Sequence, residues 1–376
     1  MQQSEIINDN RMSHHFKTNT FSNYLKKDVF SEFLKSIKSS NIETSCHWGV
    51  ELHCSGYLDE LWEKIIVLSS IIINTAVPKF TSYIFNRYKS YLEEIGVAVI
   101  PDSNKILASR NNNNIRYQLC EVICMLTTSK KRELNKMANI RQYELDINWI
   151  KLNKKLIETM YTTPTYIKKN DSPNIHIMIY QFAQYISYSK KDIHNAIYWM
   201  SWLIEWDTKN KSNAQYNIES RKIIGMDEKY QKDIVWVLWE IIIHETNSRN
   251  NESLTTQIKA LYQLYKFRFS LGKRKTRIPL MIHSISLLSL NLDWNQHLTD
   301  KQDTIKQVCV QINKLYYDIS SGCLHINDNK MNTNNYINNN THTTTKTKKK
   351  DTLSDTSQKK LDAFNLLSQQ MLYKKN

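Results

Sequence analysis

The sequence predicts an all-α protein, a multi-helix globular array around a Trp-rich core. Its six glycines and five prolines stand singly along the chain, as residues that mark the ends of successive helices do. Apolar residues make up 41% of the chain and include nine Trp, enough to fill a large core. Where apolar residues recur, their spacing is helical: Phe80, Ile84, Tyr88 and Leu92 share one predicted helix face.

The first elements follow from caps and breaks along the chain. Residues 1–28 are polar and predict a flexible N-terminus before a helical core at residues 29–325. Ser40 and Glu43 fit a capping box, which opens a helix that ends at Gly56.

An apolar run from Tyr57 to about Thr75 predicts a buried helix. Its most hydrophobic part is shorter than the ~20 residues that span a bilayer, so we expect no membrane partner. A helix begins at Pro78, and residues 97–109 are the stretch with strand-like character.

The second half of the core is a series of predicted helices. Asn111–Asn114 caps a helix that runs through Thr128, and the break at residues 129–142 is where two subdomains would meet. Beyond that break, apolar periodicity predicts helices at 143–161, 173–188, 190–208, 214–224, 228–247, 252–271, 278–292 and 300–320.

Tryptophans concentrate on the predicted helices. Trp199, Trp202 and Trp206 fall on one face of the 190–208 helix, and Trp236 and Trp239 repeat the spacing. An exposed stripe of this kind would stack on nucleic-acid bases. Because Ile and Leu flank these residues, as in a helix buried on two sides, we predict that they belong to the core.

The composition changes near the C-terminus. Residues 326–352 are rich in Asn, Thr and Lys and poor in large apolar side chains, which predicts a disordered linker. Residues 353–376 regain amphipathic spacing and predict a helix that either docks on a partner or folds back on the core. Within it Gln358, Leu361 and Phe364 resemble a sliding-clamp interaction motif, although Asn365 replaces its last aromatic residue.

Several classes of site are excluded by the motifs that the chain lacks. It contains no GxxxxGK[ST], GxGxxG, GxSxG or HExxH pattern, so it has no glycine-rich phosphate loop and no such catalytic motif. We therefore expect neither a cofactor nor an enzyme. The alternative is an unrecognised helical active site that uses a buried acid such as Glu51 or Glu205.

Cysteine usage predicts no disulfide framework, since six cysteines are few for this length. Cys46 and Cys54, with His47 and His53 beside them, are two helical turns apart, too far for a compact zinc knuckle. Cys120 and Cys124 share a helix face without an adjacent His. These spacings predict packed core thiols and no metal site. We expect a reducing, intracellular location, because no secretory signal precedes the core.

The formal charge of +15 predicts an acidic partner, although a lysine-biased genome would produce part of this excess. Basic residues form two dense clusters in the core, which we take as candidate contacts to DNA or RNA phosphates. They also fit a solvated face. The first cluster is Lys130, Lys131, Arg132 and Lys136, and the second is Lys266, Arg268, Lys273, Arg274, Lys275 and Arg277.

Residues 35–292 contain the runs NIETSCHWGVELHCSGYLDELWEKI, NTAVPKF, SRNNNNIRYQLCEVICMLTTSKKRE and NAIYWMSWLIEWD. On these runs this part of the chain resembles an uncharacterised helical protein family of nucleocytoplasmic large DNA viruses. Residues 46–62 are also similar to the helical collar of clamp-loader-type ATPases, whose motor motifs this chain lacks.

These features together predict a non-catalytic, nucleic-acid-associated viral protein of genome replication, transcription or packaging. The resemblance implies a place in the host cytoplasm, in viral factories, or in the nucleus, with packaging in the virion as a further option. The alternative is a structural or scaffold protein of the virion that binds protein partners.

Overall fold

A computed structural model describes residues 6–96, 103–154, 156, 164–213 and 216–322. Within these residues the chain is all-α, as predicted, and no β-strand is formed. The described part of the chain contains fifteen α-helices: α1 Lys26–Lys38, α2 Ile42–Cys54, α3 Leu58–Leu68, α4 Phe80–Ile95, α5 Ser103–Ala108, α6 Asn113–Thr128, α7 Ile147–Asn153, α8 His176–Ile186, α9 Ile193–Asn210, α10 Ile234–Ser248, α11 Glu252–Lys266, α12 Leu271–Thr276, α13 Ile278–Ser289, α14 Gln302–Val310 and α15 Ile312–Ser320.

One continuous hydrophobic cluster joins the buried side chains on both sides of residues 129–142. The division into two subdomains there stays a prediction. Helix α13 is buried along its whole length, which its apolar residues on every side allow. Around it α8, α9, α10 and α11 pack on one another, while α1, α2, α4 and α6 form the other part of the core.

The tryptophans of α9 and α10 lie inside this core, as predicted. Trp199, Trp202, Trp236 and Trp239 are all buried, and Trp202 stacks on the half-buried Trp206 with ring centroids 5.0 Å apart. Trp202 also donates a hydrogen bond from Nε1 to the Glu144 carbonyl at 2.6 Å. Because these rings face inward, they are not a platform for nucleic-acid bases.

Helix α3 continues into a π-helical turn, Ser69–Ile73, and a short 3-10 turn, Asn74–Ala76. The predicted buried helix over 57–75 is therefore present but changes its hydrogen-bond pattern after Leu68. At Asn74 the backbone has a φ of 49°, which ends the helix.

The described part of the N-terminal segment contacts the helical core, and the prediction of a flexible terminus over residues 1–28 stays a prediction. Within the described residues 6–25, Ile7 and Phe16 are buried. The guanidinium of Arg11 lies 4.3 Å from the ring centroid of Phe21, and the amide of Phe21 donates to Ser55 Oγ at 2.8 Å. The polar composition did not predict these contacts because few apolar anchors, widely spaced, fix the segment.

Several local elements also differ from the sequence predictions. Asn41, not Ser40, caps α2 by accepting a hydrogen bond from the Thr44 amide at 3.1 Å, while Ser40 adopts a φ of 59°. In the predicted strand over 97–109, residues from Ser103 form α5 and the start of a 3-10 turn, and residues 97–102 lie outside the described part. The helix predicted over 300–320 is two helices that meet at Gln311.

The helix predicted over 214–224 is not formed in its described residues, 216–224. Long-range hydrogen bonds satisfy this segment instead: the Ser172 amide donates to the Asn217 carbonyl at 2.9 Å, and the Arg221 amide donates to the Gln231 carbonyl at 3.0 Å. The Arg221 guanidinium is buried and pairs with Asp171 at 2.6 Å and with Glu240 at 2.9 Å. These partners are distant in sequence, so local periodicity could not reveal them.

Candidate nucleic-acid interface

The first basic cluster lies on an extended segment that follows α6. Ser129 ends the helix, and its Oγ lies 2.7 Å from the carbonyl oxygens of Met125 and Leu298. The amide of Arg132 donates to the Ile72 carbonyl at 2.8 Å, and the amide of Leu134 donates to the Ile71 carbonyl at 3.2 Å. The segment is therefore held by backbone hydrogen bonds and is not a loose loop.

The acceptors of those bonds belong to the π-helical end of α3. Carbonyl groups in the last turn of a helix lack partners within the helix and must bind elsewhere. Here the amides of Arg132 and Leu134 supply two of those partners. Leu134 is buried at the same point, so its side chain anchors the segment to the core while its neighbours face solvent.

Three cations of this cluster are exposed: Lys130, Arg132 and Lys136. Within the described residues none of them forms a salt bridge with an acid. Lys131 is half-buried, and its Nζ donates to Ser40 Oγ and to the Thr127 carbonyl, both at 2.7 Å. Burial, with a smaller contribution from the charge of Lys301, lowers the pKa of Lys131.

Lys301 belongs near the first cluster although it is distant in sequence, because Leu298 and Thr299, just before it, bond to Ser129 and Thr128 at the end of α6. It is exposed. We define the α6-terminal surface as Lys130, Lys131, Arg132, Lys136 and Lys301.

A polar cleft of about 350 Å³ adjoins this surface. Its wall is the loop before α14, and the hydroxyl of Thr299 donates to Thr128 Oγ1 at 3.0 Å, which ties that loop to the end of α6. The cleft is lined by Thr128, Lys130, Asp293, Asn295, Gln296, His297, Leu298, Thr299 and Asp300. Its two aspartates would repel a phosphate inside the cleft, so anion contacts fall on the exposed cations beside it.

The second basic cluster has a different environment. Its core is the short helix α12, which Ser270 caps by accepting a hydrogen bond from the Lys273 amide. Arg277, at the end of α12, is 1% exposed. Its Nη1 donates to the carbonyls of Tyr265 and Phe267 at 2.7 and 2.6 Å, and its Nη2 pairs with Glu63 Oε1 at 2.5 Å.

The other charges of α12 are mostly paired as well. Lys273 Nζ lies 2.6 Å from Glu63 Oε1. Arg274 joins two helices, with Nη2 2.7 Å from Asp207 Oδ2 of α9 and Nε 3.0 Å from Asp233 Oδ1 at the start of α10. Burial and the nearby Asp233 raise the pKa of Asp207, and the charge of Arg274 opposes them.

The remaining members of the second cluster vary. Arg268 Nη1 lies 3.4 Å from Asp59 Oδ2, and Lys266 Nζ lies 5.6 Å from the ring centroid of Tyr262. Lys275 is exposed and has no ion pair with the described residues. The sequence predicted that Lys273, Arg274, Lys275 and Arg277 lie on a loop and contact phosphates; the loop is not formed, and the phosphate contact stays a prediction. Their segment is a helix, and three of the four charges connect it to α3, α9 and α10.

The two clusters contact opposite ends of the helix that begins as α3. The second cluster pairs with Asp59 and Glu63, whereas the first is bonded to Ile71 and Ile72. At 1.5 Å per residue, Glu63 and Ile71 are about 12 Å apart along the axis. The two clusters are therefore attached to this helix at different points along its axis.

Glu51 and Glu205, the acids proposed for an unrecognised active site, do not share a site. Glu51 is fully buried beneath the N-terminal segment, where it accepts hydrogen bonds from the Ser22 amide at 2.7 Å and from Ser22 Oγ at 2.8 Å. Glu205 is half-exposed on α9. Neither residue lines the cleft described above. Glu51 thus has the environment of a structural acid that fixes residues 21–22 onto α2.

Among the described residues, one group suited to a metal ion is present. The thiols of Cys46, Cys120 and Cys124 lie together in the core, although sequence spacing had separated Cys46 from the other two. The docking residues predicted near the C-terminus, Gln358, Leu361 and Phe364, lie outside the described residues.

Comparison with protein-family models, with curated proteins and with solved structures finds no match to the chain. The resemblance of residues 35–292 to viral proteins stays a prediction. None of the helices in the described part of the chain combines the length and the apolarity that crossing a bilayer requires.

Proposed function

We propose that this protein binds nucleic acid without catalysis and that Lys130, Arg132 and Lys136 of the α6-terminal surface contact the phosphates. The observation that carries the proposal is that these three cations are exposed and form no salt bridge with the described acids. They lie on a segment that two backbone hydrogen bonds fix to α3.

The free energy of phosphate binding favours this surface over α12. A cation without a protein partner gains a charge-assisted bond and releases condensed counterions when it meets a phosphate. Arg274 and Arg277 would first have to leave buried carboxylates or carbonyl groups, which is costly. The formal charge of +15 adds a long-range attraction for any polyanion.

The geometry supports contact with the backbone and not the reading of bases. The cations lie on an extended segment, and no helix of the α6-terminal surface presents a row of side chains suited to a groove. Phosphate contacts of this kind carry no sequence information. We therefore propose sequence-independent binding, which suits a role in replication, transcription or packaging of a viral genome as the family resemblance implies.

The test compares affinities for labelled duplex DNA, duplex RNA and single strands by fluorescence anisotropy. The variant carries Lys130→Ala, Arg132→Ala and Lys136→Ala. The matched control, Lys222→Ala with Lys232→Ala and Lys259→Ala, removes the same charge from other exposed positions.

We expect the first triple variant to bind on the order of a hundredfold more weakly at 0.1 M salt on every sequence, because it can no longer neutralise three of the phosphates. The control should weaken only a few-fold through the change in net charge. Equal affinities of the two triple variants would refute the proposed surface. A wild-type protein that binds no nucleic acid at low salt would instead favour the virion scaffold.

A further inference from the structure

Four cysteines from three separate stretches of the chain lie near one another in the core. The Sγ atoms of Cys46, Cys120 and Cys124 all lie within 4.8 Å of one another, and those of Cys46 and Cys124 are 3.5 Å apart. The thiol of Cys309 interacts with that of Cys120. Each of the four side chains is buried, with at most 2% of its surface exposed.

Three helices supply these thiols. Cys120 and Cys124 are one turn apart on α6 and therefore share a face. Cys46 projects from α2 and Cys309 from α14, both of which pack on α6. Gly49, one turn after Cys46, allows the close approach of α2 and α6, because a Cβ at that position would overlap Ile123 Cδ1.

The separations among the sulfur atoms of Cys46, Cys120 and Cys124 fit a single ion, whereas Cys309 lies outside this group of three and adjoins it at Cys120. Zinc–sulfur bonds of about 2.3 Å at tetrahedral angles place ligand sulfurs about 3.8 Å apart. The sulfurs of a cluster with several irons are held by different metal atoms and lie further apart than this. A disulfide needs an S–S bond of about 2.05 Å, and Cys46, Cys120, Cys124 and Cys309 are all free thiols in the structure.

We propose that Cys46, Cys120 and Cys124 bind one Zn²⁺ ion at a structural thiolate site and that Cys309, the neighbour of Cys120, completes the coordination as the fourth ligand. Four soft sulfur donors with no open position select zinc in a closed tetrahedral geometry. The thiols release their protons to solvent when the ion binds. Because the thiols are buried, the ion enters as the chain folds and then fastens α14 to α2 and α6. This site is independent of the proposed nucleic-acid surface.

The metal content of the full-length protein tests the site. We expect protein purified from zinc-supplemented medium to carry about one zinc per chain by elemental analysis. Cobalt added in place of zinc should give the intense visible bands of tetrahedral cobalt–thiolate coordination. Cys120→Ala should abolish both signals, and removal of zinc by a chelator should lower the melting temperature of the wild type.

Cys54→Ala is the matched control, since Cys54 is equally buried on α2 but lies outside the cluster. It should retain zinc and the cobalt bands. If the Cys120→Ala variant does not fold, the cobalt spectrum of the wild type and the zinc content of the Cys54→Ala variant still test the proposed site. Folded wild type that binds neither zinc nor cobalt would overturn the proposal. So would denatured, unreduced protein with two fewer thiols than its six cysteines.

Discussion

Replacing Arg277 by Ala should destabilise the fold and leave nucleic-acid affinity unchanged. The change removes a buried guanidinium from Glu63 and from the carbonyls of Tyr265 and Phe267. Breaking a buried ion pair by removing one partner costs about 3–5 kcal/mol, and we take the lower end of that range because Glu63 is partly exposed and keeps Lys273. For a domain of this size that lowers the melting temperature by about 5 °C.

The pH dependence of this effect follows from Glu63. Burial raises the pKa of its carboxyl group, but Arg277 and Lys273 together outweigh burial and hold it below its ordinary value. The stabilisation is therefore present above the unfolded pKa and is lost as pH falls toward the folded pKa. Arg277→Ala should differ most from the wild type at neutral pH and least below about pH 4.

Thermal melting by circular dichroism, with urea unfolding beside it, measures the difference. Lys275→Ala is the control, since Lys275 is exposed on the same helix and its removal should change stability by no more than about 0.5 kcal/mol. If Arg277→Ala melted like the wild type yet bound DNA more weakly, the residue would contact phosphate and its structural role would be refuted.

Two further perturbations test the packing. Burial, with help from the charges of Arg116 and Arg110, lowers the pKa of His53 to about 3. The stability that the neutral side chain contributes is therefore full above pH 6.5 and declines as pH falls toward 3, by up to about 1.4 kcal/mol per pH unit. The His53→Asn variant should show a shallower dependence of melting temperature on pH between 6 and 4, and an unchanged slope would contradict this. The Gly49→Ala variant should lose about 1–3 kcal/mol of unfolding free energy, because the added methyl group overpacks against Ile123 Cδ1. Ile123→Val removes that atom, so the double variant should be less destabilised than the sum of the two single variants, and strict additivity in urea unfolding would argue against the clash.

Helices with a strong apolar face and a local cap could be predicted from the sequence. The helix of Asn113–Thr128 agrees with its prediction because the side chain of Asn112 caps its first amides and because Ile115 and Leu119 define its buried face. Residues 216–224 were predicted as helix from local periodicity, which carries no information on distant hydrogen-bond partners. Their conformation instead follows from the hydrogen bonds that Asn217 makes with Ser172 and Arg221 with Gln231.

The candidate site was predictable only in part. The run Lys130–Lys131–Arg132 marks an exposed cationic segment, but nothing local shows that Lys301 lies near it. The basic residues of α12 pair with Glu63, Asp207 and Asp233, which are distant in sequence, so the run of charges alone does not show that these cations have acidic partners. The thiols of α2, α6 and α14 likewise meet only through tertiary packing, so spacing along the chain could not indicate a site.

The salt dependence of DNA affinity tests the central claim most directly. For a duplex of about 25 base pairs, each phosphate that a cation neutralises adds about 0.9 to the magnitude of the slope of log K against log salt. The slope of the Lys130, Arg132 and Lys136 triple Ala variant should therefore be smaller in magnitude than that of the wild type by about 2.7. The control triple variant at Lys222, Lys232 and Lys259 should keep the wild-type slope. Identical slopes for all three proteins would contradict phosphate binding by the α6-terminal surface.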